Sequence, residues 1–345
     1  MRIGSKAALS GIAGVGLAGL VILSGSSTGV LNLASSGALS ILLTDPPNVP
    51  EGVSAVYITY SNLEVHAVGF GDSGWIAIAG RGTIDTLGLM NLSQTISTGT
   101  VPSLSYNLIA FNITGATVEF KGQNYTASVA SEKLVVPIVG GLRVNSSSPS
   151  AALVDFQPTV LNLGTQSNPD FALTSGARAL QVPRSELRTN LHAGQRLDLD
   201  GRAWFQSFAA NHTGELAISR ASLSANSFSI TVTNPDSEEY SARLIALSPA
   251  TTGAKPTAAL SSLLTSIVFV VGPDGSLTLA SGVTGQLRTA LSSSGFTIPA
   301  KSSRTFSFSG SISTLLPKTL VSGGSRYFVV VLGSEPPLTQ TVTAT

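Results

Sequence analysis

The chain has 345 residues, 19 basic and 18 acidic, and no cysteine. That is length for two ordinary domains and leaves no thiolate for zinc fingers, iron–sulfur clusters or thiol chemistry. A net charge of +1 with no basic run excludes the clustered Lys and Arg with which a nucleic-acid surface displaces counterions. Only 11% of residues are charged, against roughly 25% in an average soluble protein. Ser and Thr fill 83 positions instead, a mixture that suits solvated pleated faces better than exposed helices.

Arg2 and Lys6 precede an apolar stretch from Ala7 to Leu23 and a polar run from Ser24 to Thr28. A basic start, an apolar core and a small-residue exit describe a secretory signal. The apolar length also reaches the lower edge of what spans a bilayer, which would leave an uncleaved anchor. Lys6, Ala7, Ala8 and Leu9 further resemble the processing site of archaeal pilin-type signals. That resemblance implies cleavage before the helix and retention of the helix to anchor or polymerise the protein. Gly11, Gly14, Ala18 and Gly19 would let such a helix pack closely. All three readings export the remainder of the chain, and residues 1–36 are assigned to signal or anchor and linker.

From Gly37 to about Pro158 short apolar strands alternate with turn residues. Strands are predicted at Ala38–Leu43, Val53–Val68, Trp75–Ala79, Ser105–Phe111, Ala116–Phe120, Tyr125–Val129 and Leu134–Val139, with Leu153–Phe156 closing the set. Seven or eight strands at this spacing predict a β-sandwich over 37–160. Residues 161–213 read as a connector, broken at Asn168 and Pro169, with a short helix opening at Pro183–Leu187. Strands return over 214–335 at Leu216–Leu223, Ser227–Val232, Ala242–Leu247, Ile267–Val271, Ser276–Leu279, Thr305–Ser309 and Tyr327–Leu332. They predict a second sandwich of immunoglobulin-like character. The tail, 336–345, alternates Thr with Val and Ala and has no evident core partner nearby in sequence. The expected fold is therefore mainly β: two sandwiches after an N-terminal apolar helix, with a short, partly helical connector.

Particular residues carry a resemblance. They are Leu43, Thr44, Asp45 and Pro46, then Leu63, Glu64, Val65 and His66 with Trp75 after a turn. The strand of Tyr106, the run Leu134–Ile138, and Val154, Asp155 and Phe156 complete them. Over about a third of the chain these resemble the secreted domain-of-unknown-function 4382 family of archaeal and bacterial surface proteins. That family has no established activity, so the resemblance implies an exported β-sandwich and no catalytic residue. The second domain is similar to immunoglobulin-like modules that often accompany such domains.

Several motifs compete for a chemical role. Gly69, Gly71 and Gly74 fit the dinucleotide fingerprint, but a strand from Trp75 comes next where a helix is required, so they read as a hairpin turn. Gly25, Ser27 and Gly29 fit a nucleophile elbow with no strand-to-helix turn to present it. His66, His192 and His212 are the three histidines; each reads as a satisfied or exposed side chain rather than a triad member. Asp198, Asp200 and Gly201 hint at a calcium loop but lack its further acids. Asp45, Glu64 and His66 would form a weak metal or ligand set if neighbouring strands converge, and Asp45 reads better as a cap on the Pro46–Pro47 turn. Asn91, Asn112, Asn124, Asn145 and Asn211 begin acceptor sequons for glycosylation. With 14 Asn in the chain, chance placement gives about three.

Export, two sandwiches, few charges and the poverty of catalytic residues point to a cell-surface structural or interaction protein, and not an enzyme. It would be anchored, self-assembling like a pilus or sheath, or adhesive. A secreted carbohydrate- or ligand-binding module using Trp75 or Trp204 is the second reading, and a secreted hydrolase the third. No cofactor, metal or nucleic acid is expected. The membrane is a partner if the helix is retained, surface glycans are a candidate ligand, and homo-oligomers would form by strand addition. The added strand would be Gly29–Ser36, apolar at Val30, Leu31 and Leu33, or the tail Leu338–Thr345; the alternative is that each pairs within its own domain or dangles as a free end.

Overall fold

Alternation along Ser36–Thr44 (β1) places Leu39, Ile41 and Leu43 on one side and Ser40, Leu42 and Thr44 on the other, and both sides are buried. A strand covered on both faces belongs inside a sheet. The computed structural model describes residues 35–345 apart from 45–47, 188–190, 214–215, 236–238, 251–259, 261–262, 264–265, 281–283, 313–323 and 335–336. The N-terminal apolar segment with Lys6, Ala7 and Ala8, most of Gly29–Ser36, and Asp45 therefore lie outside the described residues. Among the described residues no helix is long and apolar enough to cross a membrane.

Ten further strands complete the first half. They are Val53–Ala67 (β2), Trp75–Ile78 (β3), Gly82–Asp85 (β4), Leu92–Pro102 (β5), Ser105–Phe120 (β6), Gln123–Val129 (β7), Lys133–Arg143 (β8), Ser150–Asn162 (β9), Phe171–Gln181 (β10) and Arg196–Asp198 (β11). All join one sheet in the order β11-β5-β1-β9-β10-β7-β6-β2-β3, with β4 beside β2 and β8 paired to both β6 and β10. The two ends of this path meet. Tyr60 of β2 donates to the Ile96 carbonyl of β5 at 3.1 Å, and the Ser97 hydroxyl donates to the Ala79 carbonyl just beyond β3. The sheet thus curls around one apolar core that includes Tyr106, Phe111, Phe156 and Phe171.

Three sequence expectations change here. The predicted strands at Ser105–Phe111 and Ala116–Phe120 are one strand, β6. The region read as a connector supplies β10, which pairs with β9 from Phe171↔Asn162 to Gln181↔Ala152 and touches β7 and β8 on its other edge. The break at Asn168–Pro169 is the turn of that β9–β10 hairpin. Its brace is Asn162, whose Oδ1 accepts the N–H groups of Gly164 at 3.0 Å and Asp170 at 3.1 Å. Leu153–Phe156 is accordingly the middle of the sheet and not its closing strand. Helix Ala203–Thr213 (α1) then lays Trp204 and Phe205 over an outer patch of Leu42, Ala151 and Leu153.

The second half has two sheets. Ala217–Ser224 (β12), Ser227–Asn234 (β13) and Ser302–Ser309 (β18) form the smaller one. Tyr240–Pro249 (β14), Ile267–Val271 (β15), Leu277–Leu279 (β16), Phe296–Ile298 (β17), Arg326–Gly333 (β19) and Leu338–Thr343 (β20) form the larger one. Phe228 and Phe306 of the smaller sheet share a core with Phe269, Val329 and Val331 of the larger. Phe228 and Phe269 stack with ring centroids 5.5 Å apart.

The larger sheet is covered on its other face too. Leu244, Ala246, Val330 and Leu332 pack with Leu287 and Leu291 of helix Thr284–Ser292 (α2) and with Leu161, Leu163 and Ala172 of the first half. Burial on both faces explains why β15 and β19 read as unbroken apolar runs. An ion pair of Arg288 on α2 with Asp170 ties the same junction.

The outward side of β12–β13–β18 is a lattice of hydroxyls. Thr231 meets Thr305 at 2.9 Å, Thr233 donates to Ser219 at 2.9 Å, and Ser303 donates to Thr233 at 3.0 Å. Arg220 is the one charged residue of these three strands on that side.

The tail takes the within-domain alternative to strand addition. It pairs along β19 from Arg326↔Thr343 to Val331↔Leu338, buries Val342 and Ala344, and ends with the Thr345 N–H on the Leu223 carbonyl of β12. In this fold the tail is a strand of its own sheet.

Candidate functional site

The β2–β3 hairpin builds the most elaborate surface cluster. Gly69 and Gly71 adopt φ of 90° and 52°, a left-handed geometry open to glycine at little cost. The short helical turn Gly71–Gly74 then delivers Trp75 directly opposite His66. A Cβ on Gly74 would stand 2.8 Å from the Ala67 carbonyl oxygen and 2.9 Å from His66 Nε2. Gly74→Ala is therefore expected to destabilise the fold by about 1–3 kcal/mol, read as a lower urea midpoint at unchanged slope.

His66 Nε2 lies 2.7 Å from the Gly71 carbonyl and Nδ1 lies 2.9 Å from Asn107 Oδ1. The backbone carbonyl only accepts, so Nε2 donates to it, and Nδ1 pairs with the Asn107 carboxamide. The ring stands edge-on to Trp75 with centroids 4.9 Å apart. Lys133 on β8 places its ammonium 5.2 Å from the Trp75 ring centre and 3.3 Å from Glu64. Such a lysine is held by ring quadrupole and carboxylate together. With both ring nitrogens committed, His66 pins a turn and a tryptophan and is poorly placed as a general base.

Register extends this cluster into a face. Trp75, His66, Leu108 and Pro137 form one row across β3, β2, β6 and β8. Ala77, Glu64, Ala110 and Val135 form the next. Val135 is 45% exposed and Val139 37%. Val68 and Phe70, in the adjoining turn, are 51% and 37% exposed. Among the described residues, four of the five large exposed hydrophobics thus lie at this end of the sheet, Met90 being the fifth. Leu134–Val139 is an unbroken apolar run, which by itself reads as a strand buried on both faces and not as an exposed one.

The other candidates lie elsewhere. Glu64 faces Lys133 and not a metal set. Asp198 accepts the Asp200 N–H at 3.0 Å in the turn that leads into α1. Among the described residues no group of three His, Asp or Glu could hold a metal ion. His192 is exposed and its backbone N–H bonds Gln195. His212 and Asn211 fall at the end of α1, and their side chains lie outside the described part of the structure. Gly25, Ser27 and Gly29 are outside it too. Trp204 is half-buried beside Phe205 with its indole N–H enclosed, so it and Trp75 belong to different clusters. Of the sequon residues, Asn91 and Asn124 are exposed and Asn112 and Asn145 half-buried.

Sequence reasoning singled out no role for Asp155, which is 5% exposed. Its Oδ2 accepts from Gln157 at 2.8 Å, and its Oδ1 is buried with no hydrogen-bond partner. Burial pushes its carboxyl up to about 6, while the Gln157 bond and the charge of Arg178 pull the other way.

No protein-family model matches the chain, and no curated protein matches it. Among solved structures it is similar to the full-length major pilin SpaD from Corynebacterium diphtheriae, at 9% identity and a TM-score of 0.19. That alignment covers 90% of this chain, which spans 65% of the pilin's length.

Proposed function

We propose that this is an exported cell-surface structural or interaction protein whose contact surface is the outer face of β3, β2, β6 and β8. The observation that carries the reading is the apolar end of that face. Exposed Val135 and Val139 on β8, with Val68 and Phe70 in the adjoining turn and half-buried Trp75 beside them, are costly to leave in water and typical of a surface that meets another macromolecule. The rest agrees with it: a basic-then-apolar amino terminus, the sequence resemblance of the first half to secreted domains of unknown function, and a second half of two sheets sharing one core. We assign no reaction to it, because His66 is spent on holding Trp75 and the turn.

The test is fractionation of cells making the full chain or its Val135→Asp/Val139→Asp variant. Both positions are on the exposed side of β8, so each change is expected to cost about 1 kcal/mol, and the variant is first checked to be folded. The unaltered chain is expected in the surface fraction, and the variant is expected to lose at least about tenfold of that association, since a buried carboxylate is disfavoured. Unchanged association of a folded variant would sink the reading.

A further inference from the structure

We infer that Asn112 and Asn124 are N-glycosylation sites of the folded protein and that Asn145 is not, an assignment that rests on the export proposed above. A sequon needs its Asn nitrogen and its Ser or Thr hydroxyl within reach of the transferase, and extended backbone puts residues i and i+2 on one side. On β6, half-buried Asn112 and exposed Thr114 flank the buried Ile113, and the Thr114 hydroxyl, though it donates to the Thr59 carbonyl at 3.3 Å, stays open to solvent where Ser93 does not. On β7, Asn124 and Thr126 are both exposed. Neither Asn carboxamide makes a hydrogen bond among the described residues. Asn112 stands in register with Ser61 and Lys133, and Asn124 with Glu119.

The other described sequons fail for separate reasons. The Asn145 amide nitrogen is buried without a hydrogen-bond partner, and the residue forms a bridge with Ser148. Its carbonyl packs so closely on Gly37 that a Cβ there would sit 2.2 Å away. A sugar on that enclosed nitrogen would have to displace the groups that bury it. Asn91 is exposed, but Ser93 is fully buried and donates to the Leu197 carbonyl of β11 at 3.3 Å. A transferase working on the folded chain finds no hydroxyl there.

The reaction is substitution at the anomeric carbon of a lipid-phosphate-linked oligosaccharide. The Asn Nδ2–C1 bond forms, the C1–O bond to phosphate breaks, and the lipid phosphate leaves with the electron pair. One amide proton passes to solvent. The product places sugars over the polar half of the outer face, and the Asn112 glycan borders the Lys133–Glu64 pair at the edge of the apolar half. Partners would then approach the contact face from its Trp75 and Val139 end.

Glycopeptide mapping of the full chain recovered from the surface of its own cells tests this. Sugar is expected on Asn112 and Asn124, and Asn112→Gln and Asn124→Gln are each expected to remove one glycan mass from the intact protein. Sugar on Asn145, or bare Asn112 and Asn124 on surface-recovered protein, would overturn the assignment while leaving export standing. Recovery of the chain from the cytoplasm alone would overturn export and the assignment with it.

Discussion

Replacing Asp155 with Asn is expected to raise folding stability at pH 7.5 by about 1–3 kcal/mol and to flatten its pH dependence between roughly pH 4 and pH 6. The carboxyl has a usual value of 3.8 and is pushed up to about 6 in the fold, so the folded chain holds this proton more tightly than the unfolded chain. The stability it contributes is complete below the unfolded value and is lost as pH rises through about 6. Above that, an ionised carboxylate sits buried with one unbonded oxygen. A difference near two pH units corresponds to about 3 kcal/mol, and the facing Arg178 on β10 offsets part of what Asn would recover. Asparagine keeps a partner for Gln157 and has nothing to ionise. Urea unfolding of both proteins across this range decides the matter. A variant no more stable at pH 7.5, with the same slope between pH 4 and 6, would show that the carboxylate is already well compensated.

Leu163→Ala is expected to cost about 2–5 kcal/mol and to weaken both halves of the described chain at once. Leu163 is fully buried, and its cluster joins β9 and β10 to β14, β19 and α2. Such a shared core makes the halves one cooperative unit, unlike domains that meet through a small polar interface. Both tryptophans, Trp75 and Trp204, precede the second half, so fluorescence reports the first half and far-ultraviolet circular dichroism reports all the sheets. The two probes are expected to give one coincident transition, shifted together in the variant at unchanged slope. A fluorescence transition that moves alone would mean that the halves unfold independently.

The strands that the sequence betrayed are those with one strong signature. β15 and β19 announce themselves as apolar runs, and β2 and β13 by alternation. β10 hid because Ala172, Thr174, Ser175, Gly176 and Ala177 are small or polar, and its place depends on β7 and β8 from far earlier in the chain. β5 hid because it buries the hydroxyls of Ser93, Thr95 and Ser97, which read as loop composition. Helix α2 hid because its buried side is only Leu287, Ala290 and Leu291. The glycines at 69, 71 and 74 were legible as a hairpin, and with them the meeting of His66 and Trp75. The apolar outer face was not, since apolar runs are ordinarily read as core. Nor could the sequence expose Asp155, whose burial comes from strands on either side of it.

The hydroxyl lattice on β12, β13 and β18 keeps that sheet wet by a means indifferent to its surroundings. Neutral Ser and Thr groups gather no ion atmosphere for salt to screen and do not titrate at any ordinary pH. With Arg220 the one charge there, salt has little to screen and acid has nothing to protonate on that side. The hydration of this side of the molecule therefore rests on hydrogen bonding and hardly on charge.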